Sequence, residues 1–267
     1  MPSWKGSHVT WFIPDGQGGL DNVSLSSSDI ENNLVSIRER MRVAAAEAGR
    51  DANDIRLVAV SKYMPPEYVQ AAMAAGHHCF GENTLQDAHS KQKLLDDPLN
   101  EWHFIGHLQS NKAKAIPGKF AWLHTLDSIK LANKLSASAI HSGKTLNVLL
   151  QVNIAHDPDK FGLPAESVYP FVEDLLHAGL TGIRLRGLMT IGHRHASRGE
   201  ARATFTALRE LAESCAQRFD AQHFSELSMG MSNDFELAIA EGATLIRVGR
   251  SIFGQRPAPA TTHSDTL

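Results

Sequence analysis

Ile55-Arg56-Leu57-Val58-Ala59-Val60-Ser61-Lys62 is an almost unbroken apolar run that ends in a lysine. Such a run reads as a strand buried on both faces, as in a parallel sheet. The carboxyl ends of such strands are where parallel α/β folds gather their functional groups. A lysine partly desolvated there loses some of its preference for the ammonium form. Its neutral amine is a nucleophile, and a common use of such a lysine is a Schiff base. Position alone leaves a second reading open: a lysine just past a strand whose ammonium reaches back to water.

The segments on either side alternate between helices and strands. A helix is predicted from Ser28 or Asp29, with Ile30, Leu34, Ile37, Met41 and Ala45 along one stripe and Gly49 as its stop. After strand 55–62 come helix 65–76, strand 78–82, helix 85–95, strand 102–108, a short helix at 111–116 and strand 120–126. Helix 128–141, strand 146–154, helix 165–178, strand 185–191, helix 198–218, strand 226–229, helix 234–240 and strand 244–248 follow. Eight strands alternating with helices predict the α/β class and a single-domain (β/α)8 TIM barrel rather than an open doubly wound sheet. The barrel is placed at residues 29–254. Residues 1–28, rich in Gly, Ser and Asp, read as a flexible N-terminal extension. Residues 255–267, with Pro257 and Pro259, read as a flexible C-terminal tail.

The 267 residues, 42% of them hydrophobic, suffice for one substantial core. A net charge of -3 with both signs interspersed gives no footprint for nucleic acid. No apolar run reaches the roughly 20 residues of a membrane span. The first residues lack the basic start and apolar core of a signal peptide. Cys79 and Cys215 stand far apart, so no disulfide framework is expected and a reducing cytoplasm is.

On this layout the strand ends carry Lys62, Asn83, His107, Asp127, Asn153, Met189, Ser232, Arg247, Gly249 and Arg250. They offer one nucleophile and several neutral donors. The 14 histidines invite a zinc reading. His193 and His195 share a loop, however, and His77-His78 is a bare pair, so surface or capping histidines are expected and no metal site. Two glycine-bearing segments come late: Ser228-Met229-Gly230-Met231-Ser232-Asn233-Asp234 and Arg247-Val248-Gly249-Arg250-Ser251-Ile252-Phe253-Gly254. Barrels often bind phosphate in the loops after strands seven and eight, through backbone N–H groups and a helix start. Each segment alone also fits an ordinary tight turn. A lysine on strand one facing both predicts an aldehyde that carries a phosphate, which is pyridoxal 5'-phosphate (PLP). Arg247 sits inside an apolar strand, so its charge needs a partner. The candidates are a carboxylate such as Glu82 or Glu236, or the ring nitrogen of the cofactor. Arginine cannot take a proton from that nitrogen, which would stay unprotonated and make a weaker electron sink.

Several long motifs occur in a fixed order. They are Val58-Ala59-Val60-Ser61-Lys62, Phe80-Gly81-Glu82-Asn83, Trp102-His103-Phe104-Ile105-Gly106-His107-Leu108-Gln109-Ser110-Asn111-Lys112, Arg186-Gly187-Leu188-Met189, Leu227-Ser228-Met229-Gly230-Met231-Ser232, and Arg247-Val248-Gly249 with Ile252-Phe253-Gly254. In these motifs residues 29–254 resemble the YggS/PROSC family of pyridoxal phosphate homeostasis proteins. The resemblance implies a barrel like the N-terminal domain of alanine racemases, with PLP held as a Schiff base on Lys62. It also implies that Ser232, Gly249 and the backbone of Arg250 hold the phosphate and that Arg247 faces the ring nitrogen. Asn83 and Met189, within the family motifs, complete the expected cofactor set. Family members often have a small hydroxyl residue where this chain has Arg250. That change removes a side-chain hydroxyl contact and leaves a backbone contact or the guanidinium itself. Residues 1–28 extend beyond the usual start.

The resemblance further implies a PLP carrier or regulator in vitamin B6 homeostasis with no established reaction, hence no catalytic residues. PLP-dependent apoenzymes are the partners it suggests; no nucleic acid or membrane partner is expected. The alternative is a PLP-dependent amino-acid racemase. Racemases of this fold take a second base, a tyrosine, from an additional β domain of the partner subunit. Here Tyr63 and Tyr68 follow strand one, Tyr169 lies on the fifth helix, and the chain ends soon after strand eight. A monomer is therefore expected.

Overall fold

Eight short apolar runs become the eight strands of one closed sheet. They are β1 (Arg56–Val60), β2 (Cys79–Glu82), β3 (Glu101–Phe104), β4 (Trp122–Leu126), β5 (Leu146–Gln151), β6 (Ile183–Met189), β7 (Glu226–Ser228) and β8 (Leu245–Val248). Neighbours in sequence are neighbours in the barrel, all pairs are parallel, and β8 closes on β1. This is the predicted (β/α)8 topology. The computed structural model describes residues 25–193 and 195–255, with the backbone of the paired two-residue strands Ile13–Pro14 and Leu20–Asp21. The expected flexible extension and tail lie, apart from those strands, 25–28 and Gln255, outside the described residues.

The helices are α1 (Ser27–Glu47), α2 (Pro66–Ala74), α3 (Leu85–Leu94), α4 (Ile129–His141), α5 (Val168–His177), α6 (Arg198–Arg218), α7 (Phe235–Ala240) and α8 (Arg250–Phe253). The start of α1 is set by a reciprocal cap between Ser26 and Asp29, and that of α6 by Ser197 and Glu200. The predicted stripe of α1 is buried: Ile30, Leu34, Ile37, Met41 and Ala45 all face inward. Full burial of Ile30, Leu34 or Ile37 contributes about 1.5–3 kcal/mol over leaving it exposed. α1 also packs on α7 and α8. Asn33 Nδ2 donates to the Ile252 carbonyl at 2.9 Å, and Arg40 pairs with Glu236 at the start of α7.

Several strands stop short of their sequence-based ends. β1 ends at Val60 rather than Lys62, β3 at Phe104 rather than Leu108, and β5 at Gln151 rather than Ile154. The apolar runs continue because the loops fold back over the core; Leu108 is buried. After Val60 the Ser61 amide still donates to the Gly81 carbonyl at 3.1 Å, and then Tyr63 takes a φ of 63° and turns the chain. The short helix expected at 111–116 is a 3-10 helix, Ser110–Ala115.

The main core lies between sheet and helices. A second, smaller cluster of Val58, Trp122, Leu149, Met189 and Leu245 fills the barrel interior. Among the described residues no helix is long and apolar enough to cross a membrane.

Candidate cofactor site

The predicted cofactor residues fall on one arc of the carboxyl mouth. Met189 ends β6, Ser232 follows β7, Arg247 lies on β8, Gly249 and Arg250 follow it, and Lys62 and Asn83 follow β1 and β2. Strand order makes these five strands consecutive, with β8 joining β1. The other strand-end residues, His107, Asp127 and Asn153, belong to the opposite arc. His107 Nδ1 is 3.5 Å from Asp127 Oδ2, and its ring stacks on Phe161 with centroids 3.7 Å apart. Asn153 closes its own loop, donating to the Asp157 carbonyl at 2.8 Å.

Lys62 is half-buried in the turn after β1, and both its neighbours are clamped. Ser61 is fully buried; its Oγ donates to Glu82 Oε1 at 2.6 Å, and its carbonyl accepts from Lys91 Nζ at 2.6 Å. Lys91 also bridges Glu82 at 2.8 Å and Asp87 at 2.9 Å, while Asp87 accepts the Tyr63 amide at 2.7 Å. Burial pushes the Glu82 carboxyl up, to about 7, against the pull of the Lys91 ammonium. A turn with a positive φ at Tyr63 is a strained backbone that needs such over-determination. Lys91 and Asp87 were not foreseen. The signal was available, since Asp87 and Lys91 stand four apart on one helix face.

Arg247 is buried, 5% exposed, and both carboxylates proposed for it are taken: Glu82 by Lys91 and Glu236 by Arg40. Its guanidinium donates instead to Ser228 Oγ and, at 2.8 Å, to the Thr190 carbonyl. Among the described residues no carboxylate lies within ion-pair distance. Burial lowers its pKa to about 10, which leaves it a cation at neutral pH. A buried cation met only by neutral acceptors is expensive unless something else faces it.

The two late loops follow β7 and β8, and the Arg247 amide donates to the Gly230 carbonyl at 3.0 Å. Gly230 has a φ of 90°, and a Cβ there would run into α7. Gly249 packs on β1: a Cβ would stand 3.0 Å from the Val60 carbonyl oxygen. The Ile252 and Phe253 amides turn back to the Gly249 carbonyl, both at 2.9 Å, so the first-turn amides of Arg250 and Ser251 stay outside the helical ladder. On the neighbouring loop Asp234 Oδ1 accepts the Met231 amide at 2.6 Å and shapes the turn that carries half-buried Ser232. Arg250 is exposed and opens α8, so both its backbone amide and its guanidinium are open to an anion. This donor set suits a phosphate, and the buried guanidinium suits a neutral ring nitrogen that accepts a hydrogen bond. The Lys62 amine, on the same arc of the mouth, suits an aldehyde. The residues present therefore fit PLP.

The histidine expectation needs correction. His193 is in a loop as expected, but His77 is buried, with Nε2 2.8 Å from the Cys79 carbonyl. Burial takes its pKa down to about 4. Cys79 Sγ, a Glu101 oxygen and His103 Nε2 also gather within 4.8 Å at the amino-terminal end of the barrel. Residues from two adjacent strands make this trio, so sequence spacing could not show it. The Arg56 guanidinium, 3.0 Å from Glu101, already supplies a cation there.

Comparison with known proteins gives the family. Residues 32–257 match the family model described as alanine racemase, N-terminal domain. A pyridoxal phosphate homeostasis protein of Pseudomonas aeruginosa is 44% identical over 237 residues, covering 88% of this chain and 100% of that protein. One from Escherichia coli is 38% identical over 234 residues, covering 86% and 97%. The structure of PipY from Synechococcus elongatus with PLP bound superposes with a TM-score of 0.75 at 37% identity, covering 84% of this chain and 100% of that one. With one barrel matched nearly end to end in these relatives, the chain belongs to the pyridoxal phosphate homeostasis proteins of the alanine racemase N-terminal domain family.

Proposed function

We propose that this protein binds PLP, holds it covalently through the Lys62 amine, and serves PLP homeostasis rather than amino-acid turnover. The observation that carries the reading is Arg247, a buried cation whose side-chain hydrogen bonds go only to neutral groups, on a strand followed by a glycine-bearing loop. PLP supplies an aldehyde for an amine, a phosphate for backbone donors and a ring nitrogen for the guanidinium. Lys62 holds the aldehyde end. The Ser232 hydroxyl and the amides at Gly249 and Arg250 hold the phosphate. Arg247 donates to the ring nitrogen and keeps it unprotonated. Met189, fully buried beside the mouth, and Asn83 border the ring. The relative PipY, 37% identical and solved with PLP bound, supports PLP as the ligand.

A carrier role is favoured by the placement of two of the three tyrosines. Tyr68 lies on α2 and accepts the Leu25 amide at 2.8 Å; Tyr169 lies on α5 against Phe219. Tyr63, exposed in the turn directly after Lys62, is the tyrosine at the mouth, and a racemisation assay tests it. We place the protein as a monomer in a reducing cytoplasm, a setting supported by its two free cysteines, and PLP-dependent apoenzymes as its recipients. Purified protein loaded with PLP should show a visible absorption band and restore activity to a PLP-dependent apoenzyme. It should not racemise alanine, serine or other amino acids at an enzymatic rate. A Lys62-dependent turnover near one per second, at the low end of ordinary enzymes, would replace the carrier reading with a racemase. Light scattering at micromolar concentration that gives a stable dimer would refute the monomer.

A further inference from the structure

We propose that Ser228, His124 and His103 are positioning residues for Arg247, forming a directed hydrogen-bond relay that ties its guanidinium to the Glu101 carboxylate at the opposite end of the barrel. The proposal rests on the cofactor reading above and deepens it. The relay runs through the barrel interior. Arg247 Nη1 donates to Ser228 Oγ, which lies 2.9 Å from His124 Nδ1. His124 Nε2 is 2.8 Å from His103 Nδ1, and His103 Nε2 is 2.8 Å from Glu101 Oε1. Ser228, His124 and His103 are all 0% exposed.

The ends dictate the direction. Arginine can only donate, and an ionised carboxylate can only accept. Ser228 receives from Arg247 and passes its own hydrogen to His124 Nδ1. His124 must then carry its hydrogen on Nε2 and give it to His103 Nδ1. His103 carries its hydrogen on Nε2 and gives it to Glu101. Each interior group thus has one donor and one acceptor used, and burial keeps both imidazoles neutral by lowering their pKa values. Hydrogen bonds aligned in one sense polarise one another, so the carboxylate stabilises a distant cation through three neutral groups. The ring of His103 stacks on Trp122, with 11° between planes, which holds its orientation. Glu101, 39% exposed in its side chain, is the one member that meets solvent.

A set of buried polar groups can also exist only to satisfy itself. The test separates the two roles by measuring Kd for PLP and for its analogue with C–H in place of the ring nitrogen. Wild type should prefer PLP by roughly ten- to a hundredfold, the usual worth of a hydrogen bond to a charged group. In His124→Phe the preference should fall to about twofold, and in Glu101→Gln it should shrink about threefold, because the relay keeps an acceptor but loses the charge. A purely structural role would weaken both ligands alike. An unchanged preference in Glu101→Gln overturns the relay, and that half-exposed, nearly isosteric variant decides the matter if His124→Phe does not fold. Wild type that binds neither ligand overturns the cofactor reading itself. Wild type that binds both equally leaves the cofactor reading standing and removes the ring-nitrogen contact, and with it the relay.

Discussion

At the amino-terminal end of the barrel Arg56 lies 3.0 Å from Glu101, and Arg186 lies 3.7 Å from Glu226, the first residue of β7. At the carboxyl end Arg247 meets a serine hydroxyl and a backbone carbonyl. At the amino-terminal end these charges have ion-pair partners within the protein, although Arg186 Nε has no hydrogen-bond partner among the described residues, and apart from the proposed relay through Glu101 a loss there should be felt as stability. At the carboxyl end, among the described residues, Arg247 has no carboxylate within ion-pair distance and Glu82 Oε2 has no hydrogen-bond partner; glycine loops follow β7 and β8, and the strands end early. A loss there should be felt as binding. Lys91 is an instructive intermediate, since it stands beside Lys62 yet is fully satisfied by Glu82, Asp87 and the Ser61 carbonyl. Its role by this contrast is structural.

Lys91→Met should produce the largest effect, a loss of about 3–5 kcal/mol in urea unfolding, because it leaves the Glu82 carboxyl buried without its cation. Adding Glu82→Leu should recover most of that loss, since a buried pair replaced by apolar groups is often nearly neutral. A single variant as stable as wild type would place Lys91 outside the clamp.

Gly249→Val should weaken PLP about a hundredfold, or about 2.7 kcal/mol, and pyridoxal much less. The side chain would collide with the Val60 carbonyl and push β1 and the loop after β8 apart. Equal weakening of both ligands would put the phosphate elsewhere.

At the opposite end His77 should give the protein a weakness in acid. Its folded pKa is about 4 against an ordinary 6.5, so between those values the unfolded chain binds more protons. Stability should therefore fall as pH drops through this window, with about 2 kcal/mol of the loss between pH 7 and pH 5 due to His77. His77→Gln should flatten the profile by that amount, and an unaltered slope would show that other groups carry it. PLP affinity corrected for unfolding should not change.

Arg247→Gln should have the smallest thermodynamic effect and the clearest division. PLP should weaken about tenfold, close to 1.4 kcal/mol, while stability without ligand stays within about 1 kcal/mol of wild type. The reverse pattern, lost stability with unchanged affinity, would make Arg247 another internally satisfied charge.

The order and number of barrel elements were legible because each strand is a bounded apolar run and each helix has an apolar stripe or a cap. α1 shows this clearly, from the Ser26–Asp29 cap to its buried stripe. The strand ends were less legible, because Leu108 and Ile154 continue an apolar run into loops that pack on the core. Lys62, Ser232, Gly249 and Arg247 could be nominated from strand position, glycine loops and motif resemblance. The groups that support them could not. His103, His124 and Ser228 sit on three different strands, β3, β4 and β7, and their contact depends on the closure and stagger of the barrel. His77 read as half of an exposed pair because adjacent residues in a short loop carry no periodicity that separates the buried one from its neighbour.

The central claim is that Lys62 holds the cofactor. Protein loaded with PLP, reduced with sodium borohydride and digested, should carry the pyridoxyl group on the peptide that contains Lys62, and Lys62→Ala should lose both the label and the visible band. A label found on Lys91, Lys112 or another lysine of the wild-type protein, or a band that survives in Lys62→Ala, would contradict the account.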